Sequence, residues 1–168
     1  MAIKDLMFLG NEVLRQKCAP VTFPLSKDSL ELLKDLNDTV LDFKKTHDFG
    51  RGIAAPQIGV LAQVVCINTN KPQYFINPQI TEYSSDTFFM YDDCFSMPEI
   101  MVYIERSKAI KVKFYDENGQ LHEKCFSGDM SELLQHEIDH LNGVMAIDRV
   151  KSLKDIYSRS EWKNKQNS

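Results

Sequence analysis

The chain of 168 residues has no apolar run that approaches the ~20 residues needed to cross a membrane. Its first residues, Met1–Asp5, also lack the long apolar segment of a signal peptide. Blocks of basic residues are missing too, and the net charge is -4. These absences predict a cytoplasmic protein without a membrane anchor, and specific nucleic-acid binding is not expected as its main function.

Paired cysteines are also missing. The four cysteines are scattered along the chain with no Cys-x-x-Cys pair: Cys18, Cys66, Cys94 and Cys125. In a cytoplasm such thiols stay reduced. Each therefore remains available as a thiolate ligand, although a buried structural thiol is the ordinary role of an isolated cysteine.

The most informative segment that is present is Gln135–Gly143, which contains the pattern His-Glu-x-x-His. On a helix, His136 and His140 lie on one face and can bind the same metal ion. Glu137, one position after the first histidine, can exchange protons with a water at such a site. Asp129 or Ser131 is expected to cap this helix and Gly143 to end it. An amphipathic helix that carries two histidines by chance is the alternative.

A catalytic metal site of this type needs a third protein ligand. A metzincin protease would have a histidine at position 146, where this chain has Ala146. A thermolysin-like protease would use a downstream glutamate, and the only one is Glu161, in the polar tail Ser158–Ser168. Cys94 is the better candidate, because a thiolate binds both zinc and ferrous iron strongly.

The segment Gly50–Gln57 reads Gly-Arg-Gly-Ile-Ala-Ala-Pro-Gln. Its small side chains allow the backbone to approach a ligand closely, and the Gln57 amide can donate a hydrogen bond to an oxyanion. A simple turn before the strand at Ala62–Asn68 is the alternative interpretation.

Together, Gly-x-Gly-Ile-Ala-Ala-Pro-Gln, Cys-Phe-Ser and Gln-His-Glu-x-x-His-Leu-x-Gly, in this order, resemble the peptide deformylase family. The resemblance spans almost the whole chain and includes the opening stretch Gly10–Arg15. It implies removal of the formyl group from N-formylmethionine at the start of newly made polypeptides. The implied cofactor is one divalent ion, Fe²⁺ or Zn²⁺.

The resemblance also implies a role for each matching residue. Cys94, His136 and His140 would hold the metal. Glu137 would act as general base and then general acid, while Gln57 and the backbone N–H of Phe95 would stabilise the oxyanion. The backbone at Gly52 would align the peptide. Apolar side chains that could form a methionine pocket are Ile53, Phe95, Leu134 and Ile138.

Four positions depart from the family pattern, and two of them, Asp93 and Arg51, change its charge most. The second motif usually reads Glu-Gly-Cys-Leu-Ser, whereas this chain reads Asp-Asp-Cys-Phe-Ser over 92–96. Asp93 therefore adds bulk and charge where a glycine is usual, and a positive φ there would strain it. Arg51 replaces an apolar residue between the two glycines. We expect Arg51 and Asp93 to compensate each other at the rim of the site, and Arg106 to pair with Asp92 or Asp93.

The predicted fold is α+β, with antiparallel sheets packed around the metal-binding helix, in one domain over 1–168. Other expected elements are an N-terminal helix over Ser29–Thr46, capped by Asp28 and Glu31, and a loose tail helix over Lys154–Lys165. Alternating residues predict strands at Gln63–Ile67, Tyr74–Ile76, Met101–Ile104, Ala109–Tyr115 and Leu121–Phe126. His47 and His122 are expected at the surface.

Three alternatives to a peptide deformylase remain open at this point. One is a related amidohydrolase that acts on another formylated or acylated amine, which Arg51 and Asp93 favour. Another is a binding protein with a structural metal, which would need neither Glu137 nor Gln57. The third is the thermolysin-like protease. A transient ribosome contact would need a basic patch, and the candidates are Lys151, Lys154, Arg159, Lys163 and Lys165, although a solvated helix face explains them more simply.

Overall fold

The computed structural model describes residues 3–47 and 49–166, so Met1, Ala2 and the last two residues of the predicted polar tail lie outside it. The described helices are α1 (Lys27–His47), α2 (Asp129–Leu141) and α3 (Arg159–Gln166). The strands are β1 (Gly52–Ala54), β2 (Val64–Asn68), β3 (Pro72–Tyr83), β4 (Thr87–Cys94), β5 (Met97–Ser107), β6 (Ala109–Tyr115), β7 (Leu121–Ser127) and β8 (Ile156–Ser158).

The strands form two antiparallel sheets. One has five strands in the order β1-β2-β3-β6-β7, and the other has three in the order β4-β5-β8. The chain passes from the first sheet to the second after β3 and returns at β6. The predicted α+β class with antiparallel sheets is confirmed. No described helix is both long and apolar enough to cross a membrane.

Helix α1 packs its apolar face on the five-stranded sheet. Leu33, Leu36, Val40 and Phe43 recur every three or four residues, and all are buried in one cluster with residues of β1 and β2. The helix begins two residues earlier than predicted. Ser26 provides the cap, because its hydroxyl oxygen accepts a hydrogen bond from the Ser29 N–H at 3.1 Å. The predicted cap at Asp28 is therefore wrong.

Helix α2 lies at the centre of the molecule, and ten of its thirteen residues are buried. Leu134, Ile138 and Leu141 pack against β2, β3 and β6 in a second apolar cluster. The predicted side-chain cap is absent from this described helix, which follows Gly128 at φ +57°. Ser131 instead donates to the Ser107 carbonyl at 2.9 Å. Gly143, at φ +74°, lies just beyond the helix end, as predicted.

The hairpin of β6 and β7 matches the predicted alternation about Asn118-Gly119. Three parts of the chain differ from the sequence prediction. Strand β4 was not predicted. The segment Gly50–Gln57, expected as a tight segment or turn, contains β1 and a short 3₁₀ helix at Ala55–Ile58. The tail contains a 3₁₀ turn at Leu153–Asp155, strand β8 and then α3.

Candidate active site

Helix α2 and the end of β4 bring the three predicted metal ligands together. Cys94 is the last residue of β4, and His136 and His140 lie one turn apart on α2. The Nε2 atoms of the two histidines are 3.2 Å apart, and Cys94 Sγ lies 3.2 Å from His140 Nε2. All three side chains are buried, and their ligand atoms lie within 4.8 Å of one another.

The chemistry of these donors fits a divalent cation. Two imidazole nitrogens and a sulfur, all of them atoms that bind metals, converge on one point. The 3.2 Å separation of the two histidine Nε2 atoms is close to the ~3.3 Å expected between nitrogen ligands of a tetrahedral zinc ion, given Zn–N bonds of about 2.0 Å. Cys₁His₂ is a donor set that suits both zinc and ferrous iron.

A chain of ion pairs holds His136 from behind. Its Nδ1 atom lies 3.0 Å from the Asp92 carboxylate, so Nε2 is left to point at the cluster. Asp92 also accepts from Arg106 at 3.0 Å, and Arg106 donates to Asp139 at 2.6 Å. The predicted contact of Arg106 with one of the two aspartates is thus present at Asp92. Burial by itself raises the pKa of Asp92, but the His136 charge and hydrogen bond, with those of Arg106, lower it to about 2.

Glu137 lies deep in the same cleft, in contact with β1. A methyl group added to Gly52 would stand 2.9 Å from Glu137 Oε1, so only glycine allows this approach. Glu137 Oε2 is buried without a hydrogen-bond partner among the described residues. Burial outweighs the attraction of His136 and raises the pKa of Glu137 to about 7. A carboxyl group with this pKa can both take and give a proton near neutral pH.

Gln57 reaches the cluster from the opposite side of the cleft. The Ala54 N–H donates to its Oε1 atom at 2.8 Å, which turns the amide N–H₂ group toward Cys94 Sγ, 3.4 Å away, and Ser96 Oγ, 3.3 Å away. Phe95 lies in the two-residue turn between β4 and β5, directly after Cys94. The Gln57 amide and the backbone N–H of Phe95 therefore both lie beside Cys94 Sγ.

Arg51 and Asp93, two of the departures from the family motifs, both line the cleft, but they do not pair with each other. Arg51 pairs with Glu132 of α2, and Asp93 Oδ2 accepts from Arg159 Nη2 at 3.0 Å. The expected Arg51–Asp93 compensation is therefore wrong, because each charge has a nearer partner. Asp93 is also not strained, since Asn77 is the only described non-glycine residue with a positive φ.

Among the four predicted walls of a methionine pocket, Phe95 alone lines the cleft. The side chains of Ile53, Leu134 and Ile138 are buried in the two apolar clusters beside α2, so their predicted role as pocket walls is wrong. Phe95 stacks on Phe43 with ring centroids 3.8 Å apart. Gly50 packs beneath this ring, where a methyl group would lie 2.2 Å from it.

Glu132 lines the cleft and Arg159 contacts its rim through Asp93, and the sequence indicated neither residue for this site. Glu132 stands four residues before His136, a spacing that the sequence already places on the same helix face. Arg159 follows Asp93 by 66 positions, and nothing in the local sequence predicts that contact. The remaining histidines lie elsewhere: His122 contacts Asp116 at 2.8 Å and is half-buried rather than exposed, and His47 is exposed. Glu161 is exposed on α3, away from the cluster.

A family model described as polypeptide deformylase matches residues 3–155. A peptide deformylase of Pseudothermotoga lettingae is 36% identical over 150 residues, which cover 89% of this chain and 84% of that protein. The crystal structure of peptide deformylase from Thermotoga maritima superposes with a TM-score of 0.83 at 35% identity, covering 90% of this chain and all of that one. A Met-Ala-Ser-bound deformylase of Acinetobacter baumannii gives 0.81 at 28% identity, covering 89% of this chain and 99% of that one. The chain therefore belongs to the polypeptide deformylase family.

Proposed function

We propose that this cleft hydrolyses the N-formyl group of formylmethionine at the N-terminus of newly made polypeptides. The observation that carries the proposal is the convergence of Cys94, His136 and His140 beside the buried carboxyl group of Glu137. Cys94, His136 and His140 would hold one divalent ion. When bound, such an ion polarises a carbonyl group and lowers the pKa of water toward ~7, which makes a formamide hydrolysable at neutral pH.

Glu137 is the group that moves protons. Its pKa of about 7 suits removal of a proton from water and its later delivery to the amine that leaves. The close approach of Gly52 limits where the carboxyl group can lie. Breaking the C–N bond of the formamide then gives formate and a free amino group on the peptide.

Gln57 and the backbone N–H of Phe95 are the proposed oxyanion donors. The hydrogen bond from Ala54 pre-orients the Gln57 amide, so its donors need no rearrangement as charge develops on the formyl oxygen. Loss of one such donor costs on the order of 10²–10³ in rate. Gln57→Ala is expected to show a loss in that range.

The peptide is proposed to lie along β1. This strand is at the edge of the five-stranded sheet, so a substrate backbone can add beside Gly52 as a further strand. Arg51 and Asp93 would form the two sides of the rim, and Ile53 would contribute through its backbone only. A peptide deformylase solved with Met-Ala-Ser bound supports a peptide of this length as the test substrate.

The setting of the reaction belongs to the same proposal. We place the protein in the cytoplasm, where formylated nascent chains appear. We also propose that residues 1–168 form one catalytic domain. A transient ribosome contact would use the exposed lysines near α3, among them Lys154 and Lys163. Co-sedimentation with ribosomes, compared between the native protein and Lys154→Glu/Lys163→Glu, tests that contact.

The first experiment is deformylation of formyl-Met-Ala-Ser by protein purified without oxygen and loaded with Fe²⁺ or Zn²⁺. Turnover that disappears in Cys94→Ala and Glu137→Gln supports the proposal. If Glu137→Gln keeps its rate, the proposed proton transfer is wrong. If the Fe²⁺-loaded protein loses more activity in air than the Zn²⁺-loaded protein, the loss would identify iron chemistry at the site, because the ion or Cys94 is oxidised.

A second candidate, hydrolysis of another formylated or acylated amine, is favoured by one observation. Arg51 and Asp93 give the rim a charge pattern that departs from the family motifs. Metal-bound protein that leaves formyl-Met-Ala-Ser intact but hydrolyses other formamides would support this candidate over the first.

A further inference from the structure

The first side chain of a formylated substrate has few places to lie in this cleft. The Cα of the first residue is bonded to the formamide nitrogen, so this Cα stays within about 4 Å of the formyl carbon, given standard bond lengths. Glu132 is on the same face of α2 as His136, four residues away, which is about 6 Å along the axis. Glu132 and the residue that faces it across the cleft are therefore within reach of this side chain.

The residue that faces Glu132 is Arg51, and the two form an ion pair. The Glu132 side chain is 6% exposed, whereas that of Arg51 is 40% exposed. Within residues 3–47 and 49–166, the Arg51 guanidinium donates a hydrogen bond only to Glu132, and Asp129 lies 3.9 Å from its Nη1 atom. A guanidinium group has five N–H donors. Several donors of Arg51 are therefore free to bind a substrate atom.

The charges around the pair restrict what that atom can be. The Arg51–Glu132 pair carries no net charge, so it attracts neither a substrate carboxylate nor a substrate ammonium group strongly. Asp93, on the other side of the cleft, is held by Arg159, which in turn stacks over the Phe49 ring at 4.0 Å. Arg159 offsets the charge of Asp93, which weakens the attraction of Asp93 for Arg51 or for a substrate cation.

We propose that the Arg51–Glu132 pair determines specificity for the first residue of the substrate. It selects an unbranched side chain that ends in a neutral hydrogen-bond acceptor, such as the amide of glutamine or the sulfoxide of oxidised methionine, at least as well as methionine itself. This inference rests on the proposed function. Arg51 donates to the acceptor oxygen, while Phe95 and Leu133, the apolar side chains that line the cleft, contact the methylene groups.

The test compares three substrates with one peptide backbone: formyl-Met-Ala-Ser, its methionine sulfoxide form and formyl-Gln-Ala-Ser. In the metal-loaded protein, kcat/KM for the two acceptor substrates is expected to equal or exceed that for methionine. The variant Arg51→Leu/Glu132→Leu replaces both charges with apolar groups. In it, the kcat/KM of the acceptor substrates relative to that of formyl-Met-Ala-Ser is expected to fall tenfold or more. Arg51→Lys keeps the charge but loses the planar fork of donors, and its ratio is expected to fall at least threefold.

Binding of the product peptides gives a second readout that does not depend on turnover. Calorimetry measures the Kd of Met-Ala-Ser and of Gln-Ala-Ser. The affinity for Gln-Ala-Ser relative to Met-Ala-Ser should fall from the native protein to Arg51→Lys by the same factor as the kcat/KM ratio. The inference is overturned if methionine is preferred tenfold or more in the native protein, or if neither variant changes the ratios. Failure of the proposed function is a separate result, namely no Cys94-dependent turnover of any formylated peptide, and the binding ratios then still decide about Arg51 and Glu132.

Discussion

Gly52 has no side chain where β1 meets the Glu137 carboxyl group. A methyl group there would stand 2.9 Å from Glu137 Oε1 and 3.3 Å from Cδ. Because the end of the Glu137 side chain can move, Gly52→Ala is expected to fold normally. The displaced carboxyl group should lower kcat by about 10²-fold, the usual effect of a misplacement near 1 Å.

Unfolding by urea and turnover of formyl-Met-Ala-Ser measure the two effects separately. Gly10→Ala is the matched control, because a methyl group at Gly10 meets no atom within 4 Å, although its positive φ makes alanine somewhat strained there. A Gly52→Ala protein with native turnover would show that Glu137 does not depend on this contact.

The four thiols differ in environment, and their reactivity should differ accordingly. Burial raises the pKa of Cys18 to about 11, and burial with the Glu137 charge raises that of Cys66 to about 12, whereas Cys125 is exposed. Since the thiolate is the reactive form, Cys125 should be alkylated first in the folded, metal-loaded protein at pH 8. Mass spectrometry after iodoacetamide treatment measures this, and Cys125→Ser should then remain unmodified until denaturant is added.

At the scale of an element, α1 illustrates what apolar spacing predicts and what it misses. Leu36 is fully buried against the sheet, whereas Leu30, three residues before the buried Leu33, is 53% exposed. Leu36→Ala should reduce the free energy of unfolding by about 2–5 kcal/mol. Leu30→Ala should change it by less than about 0.5 kcal/mol. Equal losses in urea titrations would mean that α1 does not pack as described.

Strand β4 places Asp92 behind His136, and this contact should set metal affinity. Asp92→Asn removes the charge that orients the imidazole, so metal affinity should fall about 10–100-fold. Competition with a chromogenic chelator measures the change. Asp86→Asn, at an exposed position just before the same strand, is the control and should keep native affinity.

The sequence predicted the elements whose signals are local. The hairpin about Asn118-Gly119 and the body of α2 follow from residue alternation, helical spacing and a positive-φ glycine, all readable within a few residues. The pairing of Arg51 with Glu132 and of Asp93 with Arg159 was not predictable, because it depends on contacts 81 and 66 positions apart. Strand β4 carries charged and aromatic residues in no simple alternation. Its residue pattern therefore does not identify a strand, which only the pairing with β5 shows.

For the whole molecule, the three proposed ligands join different layers. Cys94 comes from the three-stranded sheet, and His136 and His140 come from the central helix. A metal that binds only the folded protein stabilises it by about 2.7 kcal/mol at a free concentration 100 times its Kd. For a domain of this size, removal of the ion by a chelator should lower Tm by several degrees.

Differential scanning calorimetry with and without chelator measures this shift. Cys94→Ala, which breaks the ligand set, should show a smaller shift or none. An equal shift in the native and Cys94→Ala proteins would place the stabilising ion somewhere other than this cleft.

The contact between Asp93 and Arg159 also has a consequence for the order in which the protein is made. A ribosome adds residues from the N-terminus, so Cys94, His136 and His140 all precede Arg159 in time. The three ligands can therefore meet before the partner of Asp93 exists. On a growing chain the ligand cluster can form first, and the contact that holds Asp93 can form no earlier than the synthesis of α3.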